Sequence, residues 1–241
     1  MNVRTMSLII VVSMLCGCTT DTLVNPEIAE TEAFGAQDEA PAAAKASHST
    51  RTVFSMADLP DLSPVGSAKI VRNDHGVTIN LSTTGLVPGE VVTLWAVFFN
   101  APDQCVGDVT PFGTRCDVPD LFNADAMPDV VYVAGRRIGG SGKATYAGRR
   151  NEGDNSGSIL PGWLRLPSPG LIDARTAEIH LIVHTHGPAI PALIGEMLHS
   201  FNAGCGPVFD PALPDVPEEL GTHGPNTCMD IQVAVDPPPA G

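Results

Sequence analysis

Residues Val91–Phe99 read Val-Val-Thr-Leu-Trp-Ala-Val-Phe-Phe, apolar on both the odd and the even positions apart from Thr93. Successive side chains of a strand point to opposite faces, so a segment of this kind must be covered on both sides. It belongs at the centre of a sheet. Val77–Thr83 has the other strand pattern: Val77, Ile79 and Leu81 alternate with Thr78, Asn80 and Ser82, as in a sheet with one wet face. Val65–Arg72, Val130–Ala134, Lys143–Ala147 and Ile231–Val235 are shorter candidates bounded by Gly, Pro, Asn or Asp, Ala177–Pro188 is another, and Thr52–Met56 adds an edge strand. With 24 Gly and 22 Pro in 241 residues, the chain suits short strands joined by turns. The expectation is an all-β fold, an antiparallel β-sandwich of about eight strands spanning 51–236.

One helix is expected near 190–202. Ile190, Leu193, Ile194, Met197, Leu198 and Phe201 form one apolar stripe at helical spacing, with Pro191 in the first turn and Gly204 at the end. The stripe is expected to pack over an end or face of the sandwich.

Charge narrows the function classes. Thirteen Lys+Arg stand against 27 Asp+Glu, a net −14, and the basic residues form no run of five, so nucleic-acid binding is excluded on electrostatic grounds. Arg136, Arg137, Lys143, Arg149 and Arg150 gather in one stretch, where pairing with the body's carboxylates is the expected outcome.

The first residues read as an export signal: Arg4, then the apolar Met6–Leu15, then small residues, too short to span a bilayer. Leu15-Cys16-Gly17-Cys18 resembles the bacterial lipobox. That resemblance implies a signal peptide of residues 1–17, lipidation of Cys18 and anchoring in a lipid bilayer, with Thr19 at the following position favouring the outer membrane. Loss of Arg4 with the signal takes the net charge from −14 to −15. Residues 18–50 are rich in Ala, Glu, Asp, Thr, Ser and Pro and read as a flexible tether, and 237–241 as a disordered tail.

Of six cysteines, Cys16 leaves with the signal and Cys18 takes lipid, leaving Cys105, Cys116, Cys205 and Cys228. In an exported chain these should be oxidised. Cys105–Cys116 and Cys205–Cys228 are the favoured pairings, because each brackets one Pro/Gly-rich loop, and each is worth roughly 3 kcal/mol in the chain-entropy picture. A zinc site on these cysteines is disfavoured because no Cys-x-x-Cys occurs.

Ala177–Pro188 carries three histidines. On a strand, Ile179, Leu181 and Val183 face one side, and Glu178, His180, Ile182, His184 and His186 the other. At about 3.4 Å per residue, His180 and His184 lie too far apart to share one ion, whereas His184 and His186, about 7 Å apart, can chelate zinc or copper with a third ligand from elsewhere, His75, His199, His223 and loop carboxylates being candidates. The competing reading is a half-exposed sheet with polar residues outward. His186, at a strand end before Gly187-Pro188 and the helix start, is also a candidate to hold a small anionic ligand beside unpaired backbone N–H groups, with His180 as a second such position.

Gly139-Gly-Ser-Gly-Lys143 fails both the phosphate-loop and the nucleophile-elbow patterns and reads as a turn between strands. Asp117, Asp120, Asp125 and Asp129, and the Glu152–Ser156 loop, do not match a regular calcium loop.

Gly85–Cys105, the Gly139-Gly-Ser-Gly-Lys-Ala-Thr stretch, and Ala177-Glu-Ile-His with His186-Gly-Pro-Ala-Ile-Pro191 together resemble an uncharacterised family of bacterial secreted proteins, over Val77 to Val235. That family's pattern contains His186-Gly-Pro and not His184, which weighs against a metal. More distantly, Gly85-Leu-Val-Pro-Gly is similar to the turn before the metal strand of copper-zinc superoxide dismutases, and His184-Thr-His-Gly-Pro-Ala to the signature of chordin-type (CHRD) repeats, both all-β. Trp95-Ala-Val97 stands where the dismutase places His-x-His, so no dismutase activity carries over.

The expected function is a non-enzymatic binding or structural module of the bacterial envelope, with a small anionic ligand or an envelope protein as partner. A His184/His186 metal site is the alternative. A hydrolase comes third, since no nucleophile, base and oxyanion donor assemble from the sequence.

Overall fold

The structure is a computed structural model describing residues 45–58, 60–206 and 216–239. The signal segment, Cys18 and most of the tether lie outside the described residues. Eight antiparallel strands form the body: β1 (Ser47–Ser55), β2 (Pro64–Asn73), β3 (Gly76–Thr83), β4 (Glu90–Phe99), β5 (Pro128–Arg137), β6 (Ala144–Asn151), β7 (Glu178–Pro188) and β8 (Met229–Asp236). Their order across the sheet is β5-β4-β7-β8-β1-β2-β3-β6. The all-β, eight-strand reading holds.

The sheet has a seam. β1 meets β8 in only two register pairs, Phe54–Val233 and Ser55–Gln232, so two four-stranded halves join at one corner and face each other. Val53, Ile70, Ile79 and Leu81 from one half meet Leu94, Phe98, Ile179, Leu181 and Ala234 from the other in a single core. At the far edges β5 and β6 approach; a Cβ on Gly148 would stand 2.5 Å from the Val133 side chain. The sandwich is therefore nearly closed into a barrel.

Polar side chains bridge the seam where backbone pairing is missing. Arg72 of β2 is 2% exposed and donates from Nε and Nη2 to Asp236 of β8 at 2.9 and 2.6 Å, while its Nη1 reaches the carbonyls of Ala174 and Ala177. Arg51 of β1 donates to the second Asp236 oxygen at 2.6 Å. Gln232 accepts from Thr83 Oγ1 at 2.6 Å and donates to the Thr84 carbonyl. Each of these bonds joins the half made of β1, β2 and β3, or the residue just after β3, to β8 or to the stretch just before β7.

β4 lies between β5 and β7, as its two-sided apolar pattern requires. Val92, Leu94, Ala96 and Phe98 face the inner core, and Trp95, Val97 and Phe99 face a second cluster on the outside. Loops cover that outer side, bringing Cys105, Cys116, Ala126, Ile159, Leu160, Trp163 and Val216 over it. Within these loops α1 (Leu160–Trp163) is a single turn that the sequence reading did not contain.

Two boundaries differ from expectation. Thr52–Met56 is not an edge: β1 starts at Ser47, inside the stretch assigned to the tether, and pairs with β2 along its length. The expected helix near 190–202 has a regular core only over α2 (Ile194–Met197), flanked by hydrogen-bonded turns. Pro191 and Gly195, both poor helix formers, keep it short, yet its stripe packs on Val91 as expected. The acidic stretch after Cys116 is consumed by the backbone: Asp120 accepts from the N–H groups of Val106 and Asp117, and Asp129 from those of Val130 and Gly170.

Both expected disulfides form, Cys105–Cys116 and Cys205–Cys228.

Breaking the seam pair should be costly. Asp236→Asn leaves the buried Arg72 charge without its partner and is expected to lower unfolding free energy by about 3–5 kcal/mol in urea melts. Tyr146→Phe should do the reverse, because the buried Tyr146 hydroxyl has no hydrogen-bond partner among the described residues. Removing it is expected to leave stability unchanged or raise it by about 1 kcal/mol in the same melts.

Candidate functional site

β7 carries its side chains to two faces. Ile179, Leu181 and Val183 enter the inner core, and the register Val97–His180, Trp95–Ile182, Thr93–His184 puts the histidines on the outer face beside the aromatic run of β4. This face is not half-exposed. The loops that cover Trp95 and Phe99 also cover the histidines: His180 is 8% exposed, His184 6% and His186 0%.

His180 stands apart from the other two. Its Nε2 pairs with Glu178 at 2.7 Å, and its ring packs edge-on to Phe99. An anion there would meet the Glu178 carboxylate.

His186 has both ring nitrogens engaged. Nδ1 lies 2.9 Å from the Ala203 carbonyl, which can only accept, so Nδ1 carries the proton. Nε2 lies 3.0 Å from Thr93 Oγ1, and that hydroxyl also accepts from Trp95 Nε1 at 2.8 Å. Thr93 therefore donates its own proton to His186 Nε2, and one hydroxyl ties indole to imidazole. Burial first, and the neighbouring His184 second, lower the His186 pKa to about 3, against a smaller opposing pull from the Ala203 carbonyl. The ring is neutral for that reason rather than by proximity to a helix start. An anion at His186 would have to displace an existing partner.

His184 differs. It sits across from Asp230 in the β7–β8 register, beside a bulge between Val183 and His184. Its Nδ1 lies 2.7 Å from Asp230 Oδ1. A carboxylate oxygen accepts, so Nδ1 donates to it, and Nε2 is the ring nitrogen that can offer a lone pair. Nε2 is buried and has no hydrogen-bond partner among the described residues. Phe201 stacks on the ring at 4.8 Å, and the His186 ring meets it edge-on at 5.1 Å.

The two other groups at this spot are sulfurs. Cys205 Sγ lies 3.7 Å from His186 Nδ1. One ligand atom from each of His184, His186, Cys205 and Cys228 falls within 4.8 Å of the others. The ligands sought beyond the histidines are thus neither His75, His199 nor His223, but the two cysteines assigned to a staple. His199 Nδ1 donates to the Gly195 carbonyl, and His223 Nε2 to the Val216 carbonyl.

Local backbone chemistry brings these four residues together. After His186 the chain turns at Gly187, whose φ of +70° is left-handed and favours glycine. Asn226 Nδ2 then binds the carbonyls of both His186 and Pro188, at 2.7 and 2.8 Å. The loop of Cys205 is bonded to the loop before Cys228 through Asn226 N to Gly204 O, Gly206 N to Asn226 O and Gly224 N to Cys205 O. Gly135 of β5 seats the segment carrying Phe201, since a Cβ there would fall 2.0 Å from the Leu198 carbonyl oxygen.

Two of the four groups, the sulfurs of Cys205 and Cys228, are joined in a disulfide, and only their reduced forms are thiolate donors. Two imidazoles with two thiolates would suit zinc or copper(I), and the Asp230–His184 bond has the form of the carboxylate–histidine pairs that orient metal-binding imidazoles. A scan against known protein families, a search of curated proteins and a search of solved structures each return no match.

Thr93→Val, nearly isosteric, would strip the proton donor from His186 Nε2 and the acceptor from Trp95 Nε1. Each orphaned buried group should cost about 1–3 kcal/mol, read as a fall in unfolding free energy in urea without a change of m-value.

Proposed function

We propose that the chain is a non-enzymatic metal-binding module of the bacterial cell envelope, held on a lipid at Cys18, with zinc or copper(I) as its ligand. The observation that carries the reading is the bare Nε2 of His184. A buried nitrogen without a partner costs about 1–3 kcal/mol, and here its ring is pre-oriented by Asp230 with the His186 imidazole and the Cys205–Cys228 sulfurs close by. The envelope part of the reading rests on the export signal, on the Leu15-Cys16-Gly17-Cys18 resemblance to the lipobox, and on the oxidised cysteines expected of an exported chain. The resemblance to all-β secreted proteins agrees with it.

Elemental analysis of the full chain, after exposure to zinc or copper with and without a reductant, tests the metal. One ion per chain, lost on His184→Ala, is expected; an absence of stoichiometric metal under both conditions overturns the reading. Mass spectrometry tests the anchor. Acylated Cys18 as the first residue of the mature chain is expected, and an unmodified Cys18 overturns that part alone.

A further inference from the structure

The two disulfides occupy different surroundings. Cys105 is 5% exposed and Cys116 0%, both within the outer apolar cluster. In the second pair Cys205 is 1% exposed, but Cys228 is only partly buried and sits beside the exposed Met229 and Asp230 at the start of β8. Cys228 is therefore the most open of the four cysteines and the sulfur at which a thiolate from solvent meets least cover, while the first disulfide is enclosed. Access is one of the determinants of thiol–disulfide exchange.

The fold also keeps Cys205 and Cys228 adjacent without their bond. Four backbone hydrogen bonds join the 204–206 and 222–226 segments: Gly204 N to Thr222 O, Asn226 N to Gly204 O, Gly206 N to Asn226 O and Gly224 N to Cys205 O. Asn226 further clamps this loop to the end of β7 through the carbonyls of His186 and Pro188. Two sulfurs freed here stay next to His184 and His186.

In the oxidised chain the site offers one ready ligand. His184 Nε2 is open, His186 is engaged at both nitrogens, and the sulfurs of a disulfide carry no thiolate charge. Reduction supplies two thiolates. His186 joins through Nδ1 if its proton moves to Nε2, which then donates to Thr93 Oγ1; that oxygen has two lone pairs, one for Trp95 and one for His186.

We propose that Cys205–Cys228 is a redox gate on this site: the disulfide is the metal-free state, and its reduction by a dithiol opens a Cys205/Cys228/His184/His186 centre that binds one zinc ion. The inference rests on the metal-binding reading above and names its regulation. A dithiol thiolate attacks Cys228 Sγ, the S–S bond breaks, and its electron pair leaves on Cys205 Sγ. The second thiol of the reductant then attacks the reductant's own sulfur in the mixed disulfide, releasing Cys228 and leaving the reductant as a cyclic disulfide. The two protons brought by the dithiol reside on the freed thiols and are released when zinc binds both thiolates.

The test uses the full chain, titrated with zinc ion before and after reduction by a phosphine, and with cobalt(II) as an optical substitute whose sulfur-to-metal charge-transfer band reports thiolate ligands. The reduced chain is expected to bind one zinc at least about 100-fold more tightly than the oxidised chain, since it presents three or four ligands instead of one. Asp230→Asn should weaken binding to the reduced chain about 10–100-fold, and a Cys105→Ser/Cys116→Ser double substitution should leave the difference between the two redox states in place. Equal binding by the oxidised and reduced chains overturns the gate and leaves the metal reading standing. No binding in either state overturns both. A reduced chain that loses its sheet by circular dichroism, or a cobalt complex without the charge-transfer band, also overturns the gate.

Discussion

Burial of β4 on both faces is the constraint from which the rest of this structure follows. Its inner residues complete the core between the two halves of the sheet, and its outer residues, Trp95, Val97 and Phe99, require a second cover that the sheet itself cannot provide. Loops from four parts of the chain supply it. β7 runs alongside β4, so whatever covers Trp95 also covers His184 and His186. A pair of histidines that would be wet on an ordinary sheet edge is dry because its neighbour is apolar. Desolvation of His186, the cost of leaving His184 Nε2 bare, and the nearness of two sulfurs on the covering loops all have this one origin.

Among the described residues most of the other buried polar groups are partnered, although the Tyr146 hydroxyl, Asn202 Oδ1 and the Ser47 and Ser49 hydroxyls are not. Arg72 and Asp236 are nearly inaccessible, yet the guanidinium has a partner for each of its nitrogens, and the pair replaces backbone bonds that β1 and β8 do not make. Asp120 and Asp129 each hold several donors of the covering loops. Thr93, the one polar residue inside the apolar run, serves two side chains at once. Among the few buried groups left bare in the described residues, His184 Nε2 is the one with metal-ligating chemistry and with sulfurs and a second imidazole beside it.

What was legible in the sequence were the features with a local period or a local boundary. Val77–Thr83 and Val91–Phe99 declare their strands and even their degree of burial, and the two disulfides follow from the loops that they bracket. The features that escaped depend on contacts distant in sequence. Ser47–Thr50 has the polar composition of the tether before it, and only pairing with Lys69–Arg72 makes it a strand. The stripe after Ile190 correctly marks a face that packs, but the lengths of regular helix and turn were decided by Pro191 and Gly195. The cover over β4 and β7 has no periodicity at all, so neither the burial of His184 nor the arrival of Cys205 and Cys228 beside it could be read from spacing.

The Thr93 hydroxyl has a further consequence. It joins the indole of Trp95 to the imidazole of His186, while Phe201, stacked on His184, is flanked by Trp95 at 5.2 Å and Trp163 at 5.4 Å. The chain has only two tryptophans, so every indole in the molecule stands within one side chain of these histidines. Its intrinsic ultraviolet emission is thus a signal from a single place: the fluorescence of this protein is in effect a built-in probe of what surrounds His184 and His186, without any label to be added.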